Sequence, residues 1–142
     1  MNEPLVIQRI LPATCEEVFA AWTNPASIQA WMCPGPGVTS TVVQMDLQID
    51  GEFRIDMRGD WGISSHTGRY REITPPARLS FTWCSVNTHN RDTLVTIELT
   101  PHPAGAQLTL THTDLPDTQS WTDHQGGWNH ILDSLKAEIA RG

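Results

Sequence analysis

The feature that most constrains this chain is its last stretch, from about Asp117 to Ala140. Trp121, Trp128, Leu132, Leu135 and Ile139 recur there at spacings of seven, four, three and four. Such spacings put all five on one face of a helix. Upstream, after two short helical patterns, the sequence reads only as short strands and turns. A lone long amphipathic helix in such a chain has to find its apolar partner on a sheet. The expected architecture is α+β: a curved antiparallel sheet of about six to seven strands wrapped around a long C-terminal helix.

The strands and helices follow from local chemistry. Leu5 and Ile7 alternate with Val6 and Gln8 in a first strand that ends at Pro12. Thr14 and Glu17 then form a capping-box pattern ahead of Val18, Phe19 and Trp22. Asn24 before Pro25 caps a second short helix carrying Ile28, Trp31 and Met32, which Pro34 stops. Beyond the loop from Cys33 to Thr39, Val43, Met45, Leu47 and Ile49 alternate with polar residues. Asp50-Gly51 reads as a tight hairpin turn into Phe53, Ile55 and Met57, with Arg54 on the opposite, solvent face. Gly59 to Gly62 predicts a turn carrying Trp61. A more polar strand follows from about Ser65 to Ile73, with His66, Arg69, Tyr70 and Arg71. Leu79, Phe81 and Trp83 form the next strand. Val95, Ile97 and Leu99 then lead through a turn at Pro101 to Ala106 into Leu108, Leu110 and His112, the pattern of an antiparallel meander.

Composition narrows the function. A chain of 142 residues fits one domain spanning 1–142, large enough to bury roughly two-thirds of its unfolded surface without a metal. The net charge is -7 and Lys136 is the only lysine, which argues against nucleic acid or an anionic membrane as partner. Cys15, Cys33 and Cys84 are odd in number and lack C-x-x-C spacing, so neither a disulfide framework nor a zinc site is expected. Charged residues and prolines interrupt the first seventeen residues, and no apolar run approaches a membrane span. A cytoplasmic location is the expectation.

The element order and the local wording together resemble a known family. Ile10-Leu11-Pro12-Ala13, Thr23-Asn24-Pro25 with Trp31, Gly68-Arg69-Tyr70-Arg71-Glu72-Ile73 and Thr82-Trp83 look like the homologues of the activator of the 90-kDa heat-shock protein ATPase. So do Leu108-Thr109-Leu110-Thr111-His112 and Gly127-Trp128 with Leu132 and Leu135. This is a family of the START-like, or SRPBCC, helix-grip fold. The resemblance implies a hydrophobic cavity between the sheet and the long helix, with no reaction implied. The co-chaperone that names the family resembles this chain only in its C-terminal part.

Three functions are carried forward: binding of a small hydrophobic ligand, an enzyme of cyclase or hydrolase type using His112 and Tyr70, and a co-chaperone. The ligand-binding reading ranks first. The expected cavity lies between Trp121, His124 and Trp128 on the first half of the helix and Phe53, Ile55, Tyr70, Phe81, Trp83, Leu110 and His112 on the sheet. The reason is a contrast along the helix: Leu132, Leu135 and Ile139 can fill a core, whereas Trp, His and the Gly126-Gly127 pair pack less completely. His112 reads either as a satisfied interior histidine or as a polar anchor or general acid/base. Gly126-Gly127 reads either as tight helix-to-sheet packing or as close passage over the cavity mouth. His124 and His130 are not spaced as a zinc pair, and no catalytic metal is expected. The partner expected is a small apolar or aromatic molecule, with no cofactor, no nucleic acid and no membrane; a homodimer is left open.

Overall fold

The protein is described by a computed structural model covering residues 3–33, 35 and 37–141. Among these residues the chain forms seven strands, three α-helices and one short 3-10 turn. They run β1 (Leu5–Leu11), α1 (Cys15–Thr23), α2 (Pro25–Trp31), β2 (Val38–Met45), β3 (Glu52–Gly59) and β4 (Gly62–Thr74). Then come β5 (Arg78–Trp83), the 3-10 turn (Val86–Thr88), β6 (Thr93–His102), β7 (Gly105–Thr113) and α3 (Thr118–Ala140). One antiparallel sheet has the order β1-β7-β6-β5-β4-β3-β2. Strands β1 and β2 therefore sit at opposite edges, and α1 and α2 carry the chain between them.

Both short helices begin as the sequence predicts. Thr14 Oγ1 accepts from the Glu17 backbone N–H at 3.1 Å, and Glu17 Oε1 accepts from the Thr14 N–H at 3.0 Å. This reciprocal box satisfies two helix-end donors. Asn24 Oδ1 accepts from the N–H of Ala26, with Pro25 at the first helical position. Asp117 caps α3 by accepting from Ser120 N at 2.8 Å.

The two halves of α3 settle differently. Leu132 and Leu135 are completely buried, as are Leu108 and Leu110 of β7, and Ile139 packs partly buried against the same core. Arg9 of β1 pins the helix from outside, donating to Asn129 Oδ1 at 2.6 Å and pairing with Asp133 at 3.3 Å. The site lies along the first half of the helix, around His124 and Trp128.

Several sequence expectations are corrected. Leu47 and Ile49 were expected on the buried face of a long strand, yet they are 42% and 56% exposed. The strand ends at Met45; Asp46 N still donates to Glu52 O of β3, but residues 48–51 turn and bond elsewhere. Asp50 N donates to Tyr70 O and Tyr70 N donates to Gly51 O, so this segment is stitched to β4 rather than paired across a two-residue hairpin. Strand β2 begins at Val38, before the expected Val43, and β4 extends to Gly62. The β6–β7 turn shrinks to Pro103-Ala104, with His102 pairing Gly105. Tight packing does not explain Gly126, whose position is exposed with nothing within 4 Å of an added Cβ.

Candidate functional site

A cleft of about 460 Å³ opens between the first half of α3 and the β3–β4–β5 part of the sheet. The helix contributes Asp123, His124, Gly127, Trp128 and Ile131. The strands contribute Met57, Ser64, His66 and Trp83. Val38, Trp61, Ile63, Val86 and Asn87 complete the lining. Trp61, 57% exposed, sits on the β3–β4 turn. Its indole is seated on a glycine notch: a Cβ on Gly59 would meet Trp61 Nε1 at 2.7 Å, and one on Gly37 would meet it at 3.1 Å. A side chain at Gly59 would therefore clash with the Gly37 carbonyl and with the indole.

Trp128 and Trp83 form the apolar inner wall, their ring centroids 5.0 Å apart. Behind them runs a chain of hydrogen bonds whose direction is determined by its ends. Trp128 Nε1–H donates to His112 Nδ1 at 3.0 Å. Thr93 Oγ1 donates to the Trp83 carbonyl at 2.6 Å, so its remaining capacity is to accept from His112 Nε2–H at 2.7 Å. His112 is thus a neutral imidazole with both nitrogens engaged and no exposed surface. Burial, with a smaller contribution from nearby His124, pushes its pKa down to about 3.

His124 stands between His112 and the cleft, its ring edge-on to His112 with centroids 4.9 Å apart. Its Nδ1 lies 2.7 Å from the carbonyl oxygen of Ser120, which can only accept, so Nδ1 carries the proton and Nε2 keeps its lone pair. Burial lowers its pKa as well, opposed by the Ser120 carbonyl and by the charge of Asp123.

The sequence reading missed several lining residues, among them Met57, Trp61, Asp123 and Ile131, and above all His66. It was placed on a polar strand, but it is buried against Trp83, centroids 4.9 Å apart and planes 31° from parallel. Counting back in twos from inward-facing Tyr70 through Gly68 reaches His66, so strand alternation was the available signal. Its Nδ1 is closed to solvent and has no partner. Burial, helped by the proximity of His124, pushes its pKa down to about 4.

Of the ten residues expected around one cavity, Trp83, His124 and Trp128 line the cleft. Phe53, Ile55, Tyr70 and Phe81, again with Trp83, surround a separate void beneath α1 and α2 of about 20 Å³. That is room for about one water. Leu110 is buried in the core, His112 lies behind Trp128, and Trp121 packs half-buried against the core. His112 and Tyr70 are not brought together in the cleft, and burial raises the phenol pKa of Tyr70. Among the described residues no group of three or more His, Cys, Asp or Glu side chains could hold a metal ion. None of the described helices is long and apolar enough to cross a membrane.

A curled antiparallel sheet gripping a long C-terminal helix, with two short helices spanning its edges, is the helix-grip, START-like architecture. Within that class, the model of the family described as activator of Hsp90 ATPase homolog 1-like protein matches residues 12–140, and the chain belongs to that family. Among solved structures, a Chromobacterium violaceum protein is 25% identical with a TM-score of 0.83, over 96% of each chain. A Rhodobacter sphaeroides protein is 25% identical with a TM-score of 0.83, over 98% of this chain and 93% of its own. The AHSA1 protein of Silicibacter pomeroyi is 26% identical with a TM-score of 0.78, over 97% of this chain and 98% of its own. No curated protein matches the chain.

Proposed function

We propose that the protein binds a small, mainly apolar or aromatic molecule in the cleft between the sheet and the first half of α3. The observation that carries this reading is the cleft of about 460 Å³ walled by Trp83, Trp128, Met57 and Ile131. Its size falls within the roughly 300–1,000 Å³ of small-molecule sites, and its make-up, apolar walls with a few polar atoms, is theirs too. Membership of a family whose fold commonly binds hydrophobic ligands supports it further. The enzyme reading is weaker. His112 has no free nitrogen, and His66, held to a pKa of about 4, is a poor base at neutral pH.

The test is titration of tryptophan fluorescence with small aromatic hydrocarbons and alcohols. A saturable change that Trp128→Phe or Met57→Trp alters is the expected result. Failure of every such probe to give a saturable signal overturns the reading. Mass spectrometry of protein purified under native conditions from its host then identifies the occupant.

A further inference from the structure

We propose that the head group taken by this cleft is a cationic amine, carried on the apolar body that the proposed binding function requires. This assignment rests on that function and deepens it. The first observation is charge. Asp123 is the only charged side chain among the cleft's described walls, and neither lysine nor arginine lines it. A carboxylate or phosphate head would meet one like charge and no counter-charge, at a cost that grows as water is displaced.

The second observation is the chemistry of the remaining walls. Trp61, Trp83 and Trp128 present indoles to one space, and ring faces attract cations within about 6 Å. The third is a set of free acceptors. The Ser120 carbonyl holds the His124 proton on Nδ1, leaving Nε2 as a lone pair on a cleft-lining side chain that is nine-tenths buried. Asp123 Oδ1 accepts from the Gln119 amide at 2.9 Å, while Oδ2 receives no side-chain bond among the described residues. An ammonium carries three donors and no acceptor. It can donate to Asp123 or to His124 and keep its other donors in water at the mouth, where Asp123 is exposed. A hydroxyl head can donate to the same acceptors but carries no charge for the carboxylate or the ring faces to attract.

The experiment is calorimetric titration of the full chain near neutral pH with three naphthalenes that differ only in head group: aminomethyl, hydroxymethyl and carboxylate. The amine is expected to bind roughly ten-fold tighter than the alcohol, the size of one cation–π contact with one half-exposed ion pair. The carboxylate should bind weakest. Asp123→Asn, on an exposed helix position, should remove the ion-pair share of that preference, about three-fold, leave the cation–π share, and make amine binding insensitive to salt. Added salt should weaken only the amine. Equal binding of amine and alcohol, tightest binding of the carboxylate, or an amine affinity that Asp123→Asn leaves unchanged overturns the head-group assignment while the binding function stands. No binding of any of the three overturns the function and this assignment together.

Discussion

Two spaces inside the half-barrel share Trp83 as a common wall, and one has filled while the other stays roomy. Beneath α1 and α2, Trp22, Ile28 and Met32 descend onto Phe53, Tyr70 and Phe81. Phe53 and Phe81 meet edge to face at 5.5 Å. Large apolar groups on both sides interdigitate and leave about 20 Å³. Across Trp83, α3 offers Asp123, His124 and Gly127 to Ser64 and His66. These polar or small groups leave the space unfilled, and about 460 Å³ remains. Aromatic content alone does not make a cavity; what faces the aromatics does.

The largest expected effect removes the inner wall of the open side. Trp128→Ala should cost about 3–5 kcal/mol, the range for truncating a buried aromatic, because Trp128 is 1% exposed and touches Trp22, Trp83 and His112. A loss below about 1 kcal/mol in a denaturant titration would mean the open side tolerates the missing wall, and the contrast would fail.

Acid should act next most strongly, and from the open side. His66 and His112 have folded pKa values of about 4 and about 3, below their ordinary 6.5. Below pH 6.5 the unfolded chain binds protons that the folded chain refuses, so the stabilisation is full above 6.5 and is lost as pH falls toward 4 and 3. At about 1.4 kcal/mol per unit per group, two such histidines should remove roughly 2–4 kcal/mol between pH 7 and pH 5. Denaturant midpoints measured at the two pH values check it, and a flat profile would show that these histidines are solvated.

Separate substitutions sharpen the comparison. His112→Phe should destabilise by about 1–3 kcal/mol, because it strands the Trp128 N–H in the interior. His66→Phe should change stability by less than about 1 kcal/mol in either direction, since Nδ1 has no partner to lose. It should also flatten part of the acid dependence. Equal losses for the two variants would mean His66 is as fully bonded as His112.

The smallest effect lies outside both spaces. Gly126→Ala should stabilise by about 1 kcal/mol, the helix-propensity difference, because its Cβ meets nothing. A destabilisation measured by thermal melting would point to a role for flexibility at the cleft's helical wall.

The legible parts were those set by chain-local rules. Thr14 with Glu17 and Asn24 with Pro25 announced both short helices, since caps act over three or four residues. The spacing of Trp128, Leu132 and Leu135 identified the gripping face of α3, and all three are buried. The family wording named the fold, and the matched family bears it out. Less legible was the segment from Asp46 to Gly51. Its alternation looked like a strand, but backbone bonds to Tyr70, some twenty residues away, decided otherwise.

The sequence by itself determined the elements, the gripping helix and the fold class, because hydrophobic periodicity and capping are properties of neighbours along the chain. Only the tertiary structure decided which aromatic residues border open space. Phe53 and Tyr70 share their strands' inward faces with Met57 and His66, so nothing local separates the pair at the small void from the pair at the cleft. The difference arises from what each meets: α1 and α2, closing from one edge of the sheet, or α3, arriving from the other end of the chain with histidine and glycine in its facing turns. The same holds for His112, whose bonding to Thr93 and Trp128 depends on partners nineteen and sixteen residues distant. Side-chain satisfaction is a property of the assembled interior, and it exists only once the sheet has curled around the helix.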